Sequence, residues 1–131
     1  MHAVDTNILV RLLAEDDVKQ TILATALFAT EKIWIAKTVL LETEWVLRRG
    51  YGFTPKAIAQ GFEELLGLPR VDLEDPGVVM AALALFQQGF DFADALHLAS
   101  RPPGAKFVTF DEALVRSARR AGAVGVIKPP L

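Results

Sequence analysis

Short apolar runs that alternate with helical segments are the feature that most constrains how this chain of 131 residues can fold. Five such runs are present: one ends at Asp5, and the others span residues 33–36, 71–73, 107–110 and 124–127. This alternation is typical of a parallel sheet with helices on both faces. The sequence therefore predicts an α/β fold, a three-layer α/β/α domain with a short central parallel sheet, formed as a single domain by residues 1–131.

Capping residues predict where the helices begin and end. Thr54 followed by Pro55 is typical of an N-cap and a first helical residue. The same reasoning predicts helices at residues 39–49, between Thr38 and Gly50, and at residues 112–121, between Asp111 and Gly122. The predicted order of elements is strand, two helices, strand, two helices, weak strand, two helices, strand, helix, strand.

The longest apolar run, Val78–Phe86, is much shorter than the ~20 residues of a membrane span. It belongs to a helix predicted from Pro76 to Gln88 that is apolar on almost every side, so we expect a buried or an interface helix and no membrane contact. The chain has no cysteine, and no signal peptide is visible after Met1. We therefore expect a cytoplasmic protein.

The formal net charge of −2 argues against nucleic-acid binding through bulk charge, because proteins that bind in this way are usually basic. A carboxylate site for a divalent cation would remove this objection, since its acids count as negative until the cation binds. The function has to be inferred from individual positions rather than from composition.

Four acidic residues lie where an α/β fold places functional groups. Asp5 ends the first apolar run and Asp111 follows the fourth, so both are expected beside the carboxyl ends of parallel strands, where open α/β sheets bind ligands. Asp94 and Glu42 each lie in an otherwise apolar helical stretch, and Glu44 is an alternative to Glu42. Together these positions predict a carboxylate cluster in one crevice.

Three of these positions also allow a purely structural interpretation. Asp5 and Asp111 could be helix N-caps, which contribute about 1 kcal/mol each. Asp94 could stabilise the positive end of its helix, although Asp91 is better placed to do so. Taken singly, none of the acids indicates a particular chemistry.

Four carboxylates in one crevice would repel each other unless a cation lay among them. Two like charges ~4 Å apart cost on the order of 4 kcal/mol at an effective dielectric constant near 20, whereas a domain has only about 5–15 kcal/mol of stability. Either some carboxylates are protonated or a cation binds. With no cysteine and only two histidines, the ligands are oxygen atoms, which favour Mg²⁺ or, as a substitute, Mn²⁺. Such sites are typical of metal-assisted phosphoryl chemistry.

Two cationic or titratable side chains accompany the acids. Arg49 follows Glu42 by seven residues and therefore returns to nearly the same helix face, ~10 Å along the axis, where it could reach a phosphate or simply stabilise the helix C-terminus. His97 follows Asp94 by three residues and could be a ligand or a hydrogen-bonded core residue.

Four stretches of the sequence resemble, in family order, the motifs of PIN-domain ribonucleases. They are Val4–Arg11, Leu41–Leu47, Asp91–Leu96 and Thr109–Asp111, with Asp5, Glu42, Asp94 and Asp111 at the acidic positions. The resemblance covers nearly the whole chain. The short single-domain length and the context of Asp94 are most similar to the VapC-type toxins of bacterial toxin–antitoxin pairs.

The resemblance implies a PIN fold, Mg²⁺-dependent endoribonuclease activity, a homodimer, and an antitoxin partner whose C-terminal segment covers the active site. It also implies that Asp5 and Asp94 are the principal metal ligands and that Asp111 completes the cluster, directly or through water. Glu42 would hold a metal-bound water or a second ion. Metal-activated water would then attack phosphorus in line.

Two other functions are compatible with an acid at the end of the first strand. One is a phosphohydrolase with an aspartyl-phosphate intermediate, but such enzymes usually have a second acid two residues later, where this chain has Asn7. The other is a non-catalytic PIN-fold module for protein contacts, to which Val78–Phe86 could contribute. Uptake of Mg²⁺ or Mn²⁺ distinguishes this module from a nuclease.

Overall fold

The structure is a computed structural model that describes residues 1–130; Leu131, the last residue of the predicted domain, lies outside them. Seven helices and five strands occur in these residues, in the predicted order. The strands are β1 (His2–Ala3), β2 (Ile33–Ile35), β3 (Val71–Leu73), β4 (Phe107–Val108) and β5 (Val126–Ile127). The helices are α1 (Thr6–Ala14), α2 (Val18–Thr30), α3 (Lys37–Tyr51), α4 (Pro55–Leu66), α5 (Pro76–Gln87), α6 (Phe92–Ala99) and α7 (Glu112–Ala121).

All strand pairs are parallel, and the strands alternate with helices along the chain. β1, β2 and β3 form one sheet in that order, in which His2 is opposite Ile33 and Ile33 is opposite Val71. β4 and β5 form a second pair, in which Phe107 is opposite Val126. The prediction of a three-layer α/β/α fold is confirmed, but within residues 1–130 the hydrogen-bonded strands form two small sheets rather than one.

The strands are shorter than the apolar runs that predicted them. β1 ends at Ala3, two residues before Asp5, and Val4 is buried without belonging to the strand. The runs at 107–110 and 124–127 each contribute two strand residues. Apolar residues at the ends of these runs lie outside the ladder whether they are buried, as Val4 is, or exposed, as Phe110 and Val124 are, so the length of an apolar run overestimates the length of the ladder.

The boundaries of α3 differ from the prediction at both ends. The helix begins at Lys37, so Thr38 is not its N-cap; the backbone N–H of Lys37 instead donates to the carboxylate of Glu74, 2.9 Å away. At the other end Gly50 lies inside the helix, which ends at Gly52 in the left-handed conformation with φ of 70°. The predicted caps Thr54 and Asp111 are confirmed.

The apolar helix α5 lies in the core. Val79, Ala82, Leu83 and Phe86 are buried, and the Phe86 ring packs edge to face against Phe92 at 5.2 Å between centroids. One face of α5 is therefore buried, as one of the two alternatives predicted, whereas Met80 on the same helix is 50% exposed. No helix in residues 1–130 combines the length and apolarity needed to cross a membrane.

Candidate active site

Asp5 and Asp111 lie at equivalent strand-to-helix junctions. Asp5 follows β1 and caps α1, accepting a hydrogen bond from the Ile8 N–H at 3.2 Å; Asp111 follows β4 and caps α7, accepting from the Leu114 N–H at 3.0 Å. Both side chains are exposed. The structural interpretation as N-caps is correct for both, yet each cap bond uses a single carboxylate oxygen, so capping does not prevent a second role.

Asp94 is the half-buried acid of the group. It lies in the first turn of α6, whose N-cap is Asp91, and its N–H donates to the Asp91 carboxylate at 3.1 Å. Burial raises the pKa of Asp94 above its ordinary value, the negative charges of Asp91 and Asp111 raise it further, and His97 lowers it. Asp94, Asp91 and Asp111 therefore lie within electrostatic range of one another.

Glu42 and Glu44, the two acids that the sequence left as alternatives, have different environments. Glu42 is exposed and accepts a short hydrogen bond from the hydroxyl of Thr6, a buried residue that directly follows Asp5. Glu44 is only 2% exposed and pairs with Arg48, one helical turn later, at 2.8 Å. Glu42 is thus the carboxylate that lies beside the start of α1, and Glu44 is the one sequestered in the fold.

Thr6 and Asp91 are neighbours of the predicted acids that sequence reasoning did not include in the site. Their signals were weak, because a threonine after an acid and an aspartate before a helix are both common capping patterns. His97 is exposed, so its interpretation as a core residue is wrong. Arg49 is also exposed, at the C-terminal end of α3.

The structure shows two groups of acids, Glu42 with Thr6 beside Asp5, and Asp94 with Asp91 and Asp111, and neither group forms a closed cage. Within residues 1–130, no three carboxylate or histidine side chains stand close enough to enclose a metal ion. The five ion pairs in this part of the chain include none of the four predicted acids. Mg²⁺ usually keeps several waters and is held by one or two carboxylates plus substrate phosphates. An open set of hard oxygen donors, in which the charges of Asp91 and Asp111 raise the pKa of Asp94, therefore fits Mg²⁺ chemically.

The fold and these junctions define an acid-centred α/β domain, with carboxylates beside the carboxyl ends of parallel strands. The chain belongs to the PIN domain family, which matches residues 3–120. PIN domains are generally nucleases and typically use divalent metals, so the protein is a nuclease-type domain whose substrate is nucleic acid. No curated protein and no solved structure matches the chain.

Proposed function

We propose that this PIN domain is a Mg²⁺-dependent endoribonuclease. The observation that supports it most directly is Asp94, a partly buried carboxylate whose pKa is raised by burial and by the charges of Asp91 and Asp111. Acids whose charges raise one another's pKa are costly to the apo protein, and a divalent cation offsets that cost.

The proposed roles follow from the position of each side chain. Asp5 and Asp94 would be the principal ligands of the cation, and Asp111 would complete the site directly or through water. Glu42, oriented by the Thr6 hydroxyl, holds a metal-bound water or a second ion. When bound, a divalent cation there polarises the scissile phosphate and lowers the pKa of the attacking water. The protein's part is to position the phosphate in line with that water.

The end groups of the cleaved RNA test this mechanism. Direct attack by water leaves a 5′-phosphate and a 3′-hydroxyl, so we expect these ends when single-stranded RNA is cut with Mg²⁺ and without ATP. EDTA should abolish cleavage. The chain's two histidines lie in different elements, His2 in β1 and His97 in α6, and no described hydrogen bond joins them, which argues against an acid–base mechanism through the RNA 2′-hydroxyl. Cyclic-phosphate ends, or full activity in EDTA, would contradict the proposal.

Arg49 is proposed to contact an RNA phosphate. Its exposed guanidinium lies at the end of the helix that carries Glu42, on nearly the same face. We expect Arg49→Ala to raise KM roughly tenfold, about 1.4 kcal/mol, and to leave kcat nearly unchanged, because a ground-state phosphate contact affects binding more than turnover. Arg119→Ala, at an exposed arginine in the last turn of α7, is the matched control. A lower kcat with unchanged KM would place Arg49 in the transition state instead.

We further propose that the protein is the toxin of a VapC-type toxin–antitoxin pair and acts in the cytoplasm as a homodimer. A groove of about 500 Å³ lies between α1 and α2, and its lining includes the Asp5 carboxylate and the apolar Ile8, Leu23 and Leu27. Its apolar surface suits the apolar face of an amphipathic antitoxin segment, and the lining residues Asp5 and Arg11 offer one acid and one cation to that segment's polar side chains.

The solution mass tests the dimer. On α2 the apolar residues Val18, Ile22 and Leu23 are 76%, 62% and 64% exposed, and they offer apolar surface to a second copy of the chain. Light scattering should give about twice the 14.3 kDa chain mass at micromolar concentration. A 14.3 kDa species at all concentrations would contradict the homodimer while leaving the nuclease proposal standing.

A further inference from the structure

Two aromatic side chains project into solvent beside the candidate active site. Phe110 is 87% exposed and Trp45 is 56% exposed, although the same chain buries five other phenylalanines: Phe28, Phe62, Phe86, Phe90 and Phe92. Tyr51 is also exposed, but it differs from Phe110 and Trp45 because its hydroxyl donates a hydrogen bond to Asp16 at 2.7 Å. The side chains of Phe110 and Trp45 have no partner in the described hydrogen bonds. Neither burial nor hydrogen bonding within the fold therefore explains why an aromatic residue occupies these two exposed positions.

Phe110 is held rigidly next to a site acid. On one side the Thr109 N–H donates to the Ile127 carbonyl at 2.9 Å, and on the other Asp111 caps α7. The Asp111 N–H also donates to the Thr109 hydroxyl at 3.0 Å, across Phe110. The backbone on both sides of the ring is therefore fixed, one residue from the acid whose charge acts on Asp94. The ordered backbone therefore presents the exposed ring at a defined position beside Asp111.

Trp45 lies between the two groups of acids on the surface of α3. It follows Glu42 by three residues and precedes Arg48 by three, so with about 100° per residue it lies about 60° from each around the helix axis. Glu42 bonds Thr6, beside Asp5, whereas Arg48 is close enough to Asp91 for that charge to raise the pKa of Arg48, after the larger effect of Glu44.

We propose that Phe110 and Trp45 stack on unpaired bases of the single-stranded RNA that the nuclease cuts. This inference rests on the proposed nuclease function and adds the side chains that hold the bases. Stacking tolerates any base because every base has a π face, and each stacked base strengthens binding appreciably. Bases within a duplex are already stacked on each other and cannot reach these rings. The exposed Arg49, about 40° from Trp45 around the helix, adds a cation for the phosphate between the bases.

The first test measures binding of a fluorescein-labelled single-stranded RNA dodecamer by anisotropy, with Ca²⁺ in place of Mg²⁺ and a gel to confirm that the RNA stays intact. Phe110→Ala and Trp45→Ala should each weaken binding about five- to fiftyfold. Phe110→Tyr and Trp45→Phe should retain affinity because they keep the π face. Val124→Ala, which truncates another side chain that is 80% exposed, should change affinity less than twofold. All variants should melt at the wild-type temperature.

The second test distinguishes stacking on a particular base from a non-specific loss of apolar contact area. The test uses dodecamers in which a single abasic site is moved from one position to the next. At one position the missing base should weaken binding to the wild type but not weaken binding to Phe110→Ala any further, since that variant already lacks the ring on which the base would stack. The duplex of the same sequence should bind weakly and be insensitive to both substitutions. If the loss of affinity from the abasic site and the loss from Phe110→Ala add at every position, the stacking inference is wrong.

The outcomes separate this inference from the function on which it depends. Wild-type cleavage with 5′-phosphate ends, together with wild-type RNA affinity in both alanine variants, would overturn stacking and leave the nuclease standing. A wild type that neither binds nor cuts RNA would overturn both. If either alanine variant lowers the sedimentation mass and shows no coupling to an abasic site, the two rings belong to a protein interface and the inference is wrong.

Discussion

Asp94→Asn is expected to reduce kcat on single-stranded RNA by on the order of 10³-fold, to remove stabilisation by Mg²⁺, and to make the metal-free protein more stable. A 10³-fold loss corresponds to about 4 kcal/mol of transition-state stabilisation, comparable to the several kcal/mol that a bound metal ion supplies. Asparagine has nearly the same shape as aspartate, and the bond from the backbone N–H of residue 94 to Asp91 is retained. The variant should therefore fold normally.

The gain in stability follows from the direction of the pKa shift. Burial first, and then the charges of Asp91 and Asp111, raise the pKa of Asp94 in the folded state. A carboxyl group whose folded pKa lies above its unfolded value costs stability when it is ionised, so the cost is present at neutral pH. It declines as the pH falls through the folded pKa and vanishes below the unfolded value. Without metal, the advantage of Asp94→Asn should shrink in the same way.

Thermal unfolding between pH 3 and pH 7, with Mg²⁺ or with EDTA, measures both effects. In the wild type, Mg²⁺ or Mn²⁺ should raise the melting temperature and EDTA should reverse the increase. Asp72→Asn, at an exposed acid in β3, is the control and should keep the full response to metal. An unchanged response to Mg²⁺ in Asp94→Asn would remove Asp94 from the site.

The order of elements was predictable because it depends on local chemistry. Thr54 and Asp111 bond N–H groups three residues later, so the sequence alone contains both partners of each cap. The start of α3 was not predictable, because its first N–H is satisfied by Glu74, which is 37 residues away. The same limitation applies to the number of sheets, since pairing between strands is a long-range property.

The candidate site shows a similar division between local and long-range information. The junctions occupied by Asp5 and Asp111 follow from strand–helix alternation, and both acids are present there as caps. Choosing between Glu42 and Glu44 required the resemblance to a family, because the two acids share one apolar stretch. They differ because Glu42 accepts a hydrogen bond from the Thr6 hydroxyl on another helix, whereas Glu44 is buried in the fold. The direct role of the four acids in metal binding remains a prediction.

Removing the cation that pairs with the buried Glu44 should strongly destabilise the fold. Arg48→Met should lower the free energy of unfolding by about 3 kcal/mol, the lower end of the range for a buried pair, because the Arg48 side chain is 33% exposed whereas that of Glu44 is only 3% exposed. The substitution leaves the Glu44 charge buried and also removes the cation that faces Asp91. Urea unfolding measures the loss, and Arg119→Met, at an exposed arginine outside the described ion pairs, should change it by less than about 0.5 kcal/mol.

A double-mutant cycle identifies the cause of that loss. Glu44→Met combined with Arg48→Met removes both charges and replaces them with apolar side chains of similar length, so the double variant should recover most of the stability that Arg48→Met loses. Recovery means that the single variant is destabilised by an unpaired buried carboxylate rather than by lost packing. If instead the two losses add, packing around the arginine stem holds this turn of α3, and the ion pair contributes little to the fold.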